Sequence, residues 1–135
     1  MPMQESIVAR GGLLVGLVLA LLALTPTGCG VGPATNEEKI SKTATAYLTA
    51  LADGDAAKAC AQLTRRAKGG GCEAAMTERL SRLDSDALRQ AAEDSMDIEI
   101  HGDTATAALS EPEGARFVLA RIGDDWRIDS GYTLG

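Results

Sequence analysis

The chain is poor in aromatic residues, in histidine and in clustered positive charge. Phe, Trp and Tyr make up 3% of its 135 residues, and His101 is the one histidine. Its 13 Lys and Arg form no basic block and are outnumbered by 19 Asp and Glu, for a net charge of −6. Phosphate contacts need clustered cations, so this balance excludes nucleic acid as a partner. Long apolar runs are also scarce. The longest, Gly11 to Leu24, has 14 residues, short of the ~20 that a spanning helix needs. A hydrophobic content of 45% is too low for a multi-span membrane protein and too high for a disordered chain. The length fits one small domain.

What is there begins with an export pattern. Met1 to Arg10 is a short polar head, and the 14-residue run that follows has the length of a secretory apolar region, ~7–15 residues. Leu24-Thr25-Pro26-Thr27-Gly28-Cys29-Gly30 comes next. Small residues and a cysteine directly after such a run resemble the lipobox of bacterial lipoproteins. The resemblance makes residues 1–28 a lipoprotein signal peptide and Cys29 the lipidated amino terminus, although Pro26 stands where the pattern has an aliphatic residue. It implies a mature chain of 107 residues that keeps the full −6, because Glu5 and Arg10 cancel. The expected location is the cell membrane, lipid-anchored on the extracytoplasmic face, with membrane lipid engaged through Cys29. The alternatives are a secreted protein without lipid and an uncleaved anchor. Residues 29–36, around Gly30-Val31-Gly32-Pro33-Ala34, read as a flexible tether.

With Cys29 taken by lipid, Cys60 and Cys72 remain, 12 positions apart with Gly69-Gly70-Gly71 between them. In an oxidising compartment this spacing predicts a structural disulfide, the glycines letting the backbone turn back. Two cysteines and His101 do not make a four-ligand zinc site at a familiar spacing, and Cys-x-x-Cys is absent, so neither metal nor redox chemistry is expected. The glycine run lacks the Lys-Ser/Thr of a phosphate loop and reads as a turn between helices. No cofactor is implied.

The remaining pattern is α+β. Thr35 and Glu38 stand at capping-box spacing before an apolar stripe of Ile40, Ala44, Tyr47, Leu48 and Leu51, which predicts a helix to about Asp53-Gly54. A second helix is expected from Asp55 through Lys68, with Ala56, Ala59, Cys60, Leu63 and Ala67 on one face. A third carries Met76, Leu80 and Leu83, and Ser85 to Ala92 adds a short turn of helix. Then the period changes to alternation. Met96, Ile98 and Ile100 are expected to face inward, with Asp97, Glu99 and His101 toward solvent. Gly102-Asp103, Glu111-Pro112-Glu113-Gly114 and Gly123-Asp124-Asp125 divide the rest into an antiparallel meander whose apolar face the helices cover.

This order, together with Tyr47-Leu48-Thr49-Ala50-Leu51-Ala52-Asp53-Gly54-Asp55, Gly102-Asp103-Thr104-Ala105 and Asp125-Trp126-Arg127-Ile128-Asp129, resembles the NTF2-like, cone-shaped superfamily. It implies such a domain over residues 37–135. With the cysteine pair and the Ala-, Gly- and Asp-rich composition it resembles envelope lipoproteins of actinobacterial type. The superfamily holds ketosteroid isomerases and polyketide cyclases beside many non-catalytic members. Tyr47 matches an oxyanion-stabilising tyrosine of the isomerases, but the general-base aspartate falls where this chain has Thr64-Arg65-Arg66. Enolisation needs a base as well as a donor, so no catalytic residue is assigned. Tyr47, Phe117 and Trp126 are the candidate pocket-lining residues, each equally at home in a core. The expected function is a non-catalytic binding or interaction module for a small apolar ligand or an envelope protein. An isomerase- or cyclase-type enzyme and a purely structural accessory subunit are the alternatives.

Overall fold

A computed structural model describes residues 32–111 and 114–131. The signal peptide expected over 1–28, Cys29 and the start of the tether lie outside the described residues, as do Pro112 and Glu113 of the second expected turn. The chain divides into two compact units, Met1–Ala34 and Thr35–Gly135, and the second holds the described secondary structure. That unit is α+β: among the described residues there are five helices followed by a four-stranded antiparallel sheet.

Helix α1, Asn36–Ala52, starts where the capping pattern puts it: the Thr35 side chain accepts from the Glu38 N–H at 3.1 Å. Glu37 and Glu38 in the first turn complement the positive end of the helix dipole. Ile40, Ala44, Tyr47, Leu48 and Leu51 are all buried. The chain reverses at Gly54, whose φ of +73° favours a residue without a Cβ, and Asp55 caps α2, Ala56–Ala61.

The single helix expected from Asp55 through Lys68 is two. Between α2 and α3, Arg65–Lys68, the backbone leaves the helix to join the sheet. The N–H of Ile128 donates to the Gln62 carbonyl at 2.8 Å, and the Thr64 N–H donates to the Ile128 carbonyl at 2.8 Å. Groups engaged in those bonds are not free for an intrahelical ladder. Leu63, between them, is 2% exposed, and the Thr64 hydroxyl caps α3 by accepting from Ala67 N.

After the glycine turn, α4 spans Cys72–Leu80 and buries Met76. It stops before Leu83, which packs against the core from the following turn rather than from the helix. Cys60 and Cys72 are joined, with Cα atoms 6.2 Å apart, so the bridge pins α2 to the start of α4. Helix α5, Ser85–Glu93, is a full nine-residue helix capped by Asp84, with Leu88 and Ala91 facing the core.

Strands β1 (Asp97–His101), β2 (Thr104–Ala108), β3 (Arg116–Ile122) and β4 (Asp125–Ser130) lie in the order β1-β2-β3-β4. Ala105, Ala107, Phe117, Leu119, Trp126 and Ile128 are buried at 0–1% exposure. Helix α1 packs on α5, α2 and β4, and touches β1 and β2 more lightly. Its seam with β4 is fixed by Thr43, whose hydroxyl donates to the Trp126 carbonyl at 3.0 Å. The light cover over β1 corrects one expectation. Ile98 is half-buried, but Ile100 is 40% exposed, because β1 is an edge strand beyond most of the helical cover.

Replacing both Cys60 and Cys72 with Ser should lower stability by about 3 kcal/mol, the loop-closure effect for a bridge of this span. Chemical denaturation of the two proteins checks this, and a thiol count on the unreduced, denatured wild type should find neither Cys60 nor Cys72 free.

Candidate functional site

The three candidate pocket-lining residues are core residues. Tyr47 and Phe117 are 0% exposed and meet edge to face, with ring centroids 5.5 Å apart, a geometry aromatic pairs prefer. The Tyr47 hydroxyl points at the Met76 sulfur at 4.0 Å. Trp126 is 1% exposed, and its indole N–H donates to Asn36 Oδ1 at 3.3 Å. None of the three lines any of the described clefts. No buried side-chain nitrogen or oxygen among the described residues lacks a hydrogen-bond partner. The polar atoms of the core are therefore engaged with the protein itself.

The segment Thr64-Arg65-Arg66 does face a carboxylate, one supplied from the far end of the sequence. Asp129 on β4 accepts from the buried Thr64 hydroxyl at 2.7 Å and pairs with the Arg66 guanidinium. The Arg66 hydrogen bond first, and then the Thr64 hydroxyl, hold the Asp129 carboxyl below its ordinary value of 3.8. That direction suits a structural clamp and weakens the group as a proton acceptor at neutral pH. The pair is separated by 65 positions, so no local spacing signals it. Alternation alone places Asp129 on the outer face, next to Arg127.

The largest described concavity lies elsewhere. An open cleft of about 920 Å³ runs along the outward side of α1 to the head of β1. It is lined by the apolar Ala46, Ala50, Met96 and Ile98 and by the hydroxyls of Ser41, Thr45 and Thr49. Glu37, Glu38 and Asp53 on its rim outnumber Lys42 and Lys58. Arg89 bonds Asp53 at 3.1 Å and Lys58 sits 3.8 Å from Asp55, which leaves Glu37 and Glu38 as carboxylates without a described ion pair. The sequence pattern missed this cleft because its residues read as the solvated face of a helix. Their neighbour across the cleft, Met96, is 38 or more positions away along the chain. A smaller pocket of about 160 Å³ lies between Leu48, Leu88 and Leu109.

His101, Asp97 and Glu99 are exposed. Among the described residues no group of three or more His, Cys, Asp or Glu is placed to hold a metal ion. No described helix is long and apolar enough to cross a membrane. Cys29, the expected lipidation site, lies outside the described residues. No family model, no curated protein and no solved structure matches the chain.

Two measurements separate core from site. Trp126→Ala should cost about 3–5 kcal/mol of folding stability, as truncation of a buried aromatic does, in denaturant titration. Asp129→Asn should cost about 1 kcal/mol at neutral pH. Because the folded carboxyl titrates below the unfolded one, its contribution is present above the ordinary value of 3.8 and fades as the pH falls through the lowered folded value. The wild type and the variant should therefore converge in acid.

Proposed function

We propose that the chain is a membrane-tethered extracytoplasmic lipoprotein whose α+β unit is an NTF2-like domain acting as a non-catalytic binding or interaction module. The observation that carries this reading is the contrast between a core that uses its own polar atoms and an open cleft on the surface. Tyr47 supports the non-catalytic reading, because its hydroxyl points into the core at Met76. Asp129 supports it too, because the carboxyl beside the expected base position is held low by Arg66 and Thr64. The NTF2-like reading rests on the helices-then-meander order and on the Gly102-Asp103 and Asp125–Asp129 segments. Export rests on the leader pattern, and the Cys60–Cys72 bridge agrees with an oxidising compartment.

The module is then a soluble unit held at the membrane by lipid on Cys29. Two or more acyl chains suffice for a stable anchor, whereas one does not. Binding at such a surface favours a macromolecular partner over a buried small molecule, since the cleft is open and its rim charged.

Cys29→Ala, expressed in a high-GC Gram-positive host, should abolish labelling by a palmitate analogue and move the protein from the membrane fraction to the medium. Continued membrane retention of a variant whose leader has been removed and which carries no label would overturn the lipid anchor. Processing that leaves the wild type unlabelled would favour the secreted alternative.

A further inference from the structure

The two edges of the sheet are treated differently. At β4 the main chain of Ile128 is bonded on both sides of Leu63, and Asp129 is clamped by Thr64 and Arg66. That edge is closed. At the other edge β1 pairs with β2 alone, and no other described strand pairs with it. In an antiparallel pair alternate residues direct their N–H and C=O groups away from the partner, so part of the backbone of Asp97–His101 is available for a ladder.

The side chains around this edge are arranged in two sets. On the core side, Ile100 is 40% exposed although Ala105, its partner across the ladder, is 1% exposed. Ile98, on the same side, lines the cleft along α1 together with Met96. On the opposite side Asp97 and Glu99 are exposed and have no ion pair among the described residues. The edge therefore offers apolar contact on one face and negative charge on the other, with open main-chain groups between.

We propose that β1 is a docking edge that accepts an extended segment of a partner protein as a fifth strand. The partner strand alternates aliphatic residues, which cover Ile98 and Ile100, with Lys or Arg, which meet Asp97 and Glu99. Main-chain bonds supply the affinity in strand addition, and the alternate side chains supply the selectivity. A second copy of this chain fits the edge less well. Two antiparallel β1 strands centred on Glu99 would place that carboxylate opposite its own copy, and like charges directly opposed are destabilising. The proposal rests on the binding-module reading and names the partner of that module.

The test uses the full chain and a peptide of about eight residues, a usual strand length, alternating Lys with Val. Controls replace Lys by Glu, or one central Val by Pro. The Lys peptide should bind, should slow amide exchange in Asp97–His101 by about tenfold, and should lose affinity as salt is raised. The Asp97→Lys, Glu99→Lys double variant should bind it about tenfold more weakly and prefer the Glu peptide. Both positions are exposed, and an unchanged thermal transition of the variant confirms that it folds. Equal binding of the Pro control would overturn strand addition, as would protection confined to residues 36–53, which would leave a binding module of another kind. A dimer of the chain with β1 protected before peptide is added would overturn it in favour of self-pairing. Failure of every peptide would overturn the proposal, while the Cys29→Ala fractionation decides the membrane-tethered reading separately.

Discussion

The burial of one face of α1 is the constraint on which the rest of the structure depends. The chain has four aromatic residues in all, and Tyr47, Phe117 and Trp126 are all committed to the seam between α1 and the sheet. Aromatic side chains remove the most apolar surface per residue, so a domain this poor in them has little to divert to a cavity. The small residues Ala105 and Ala107 on β2 fit the same logic. They are buried at 0–1% exposure, and small side chains let elements approach until the interior reaches its usual packing density. The Cys60–Cys72 bridge joins α2 to the start of α4, and it restrains a region where the core is thin: α3 buries no residue and α4 buries only Met76.

Helix α1 meets β4 more closely than it meets β1 or β2. The covered end gains the Leu63 bridge, the Thr43 bond and the Asp129 clamp. The other end keeps a half-buried Ile98, an exposed Ile100 and a cleft. The β4 edge is therefore closed mainly by the segment between α2 and α3, which has no counterpart among the described residues at β1.

Local signals carried most of the element pattern. The Thr35 and Asp55 caps, the Ile40-to-Leu51 stripe and the Gly102-Asp103 turn are each decided within a few positions, and each matches the structure; the turn at Gly123 is one residue shorter than expected, because Asp125 already pairs with Ile122. The departures arise where a distant partner wins. Gln62 and Thr64 leave the helix because Ile128 takes their backbone groups, more than 60 positions on. Asp129 is absent from a reading of the Thr64-Arg65-Arg66 segment for the same reason. Ile100 fits the inward alternation, yet alternation tells only which face a side chain is on and not whether anything covers that face. Tyr47 shows the limit for a candidate site: its place on the apolar stripe favours a core tyrosine while also matching an isomerase tyrosine, and its burial against Phe117 and Met76 is visible only in three dimensions.

An open edge is a hazard as well as an opportunity, since unpaired strand groups invite indiscriminate pairing. Two features of β1 bear on this. It is five residues long, which limits the ladder available to any intruder. It also places Asp97 and Glu99 outward, and the chain as a whole carries −6. Those charges oppose pairing with a second copy and with other acidic chains, and they leave basic extended segments unopposed. The same carboxylates that protect the edge from aggregation therefore narrow the class of partner it can accept, so solubility and selectivity at β1 have one electrostatic origin.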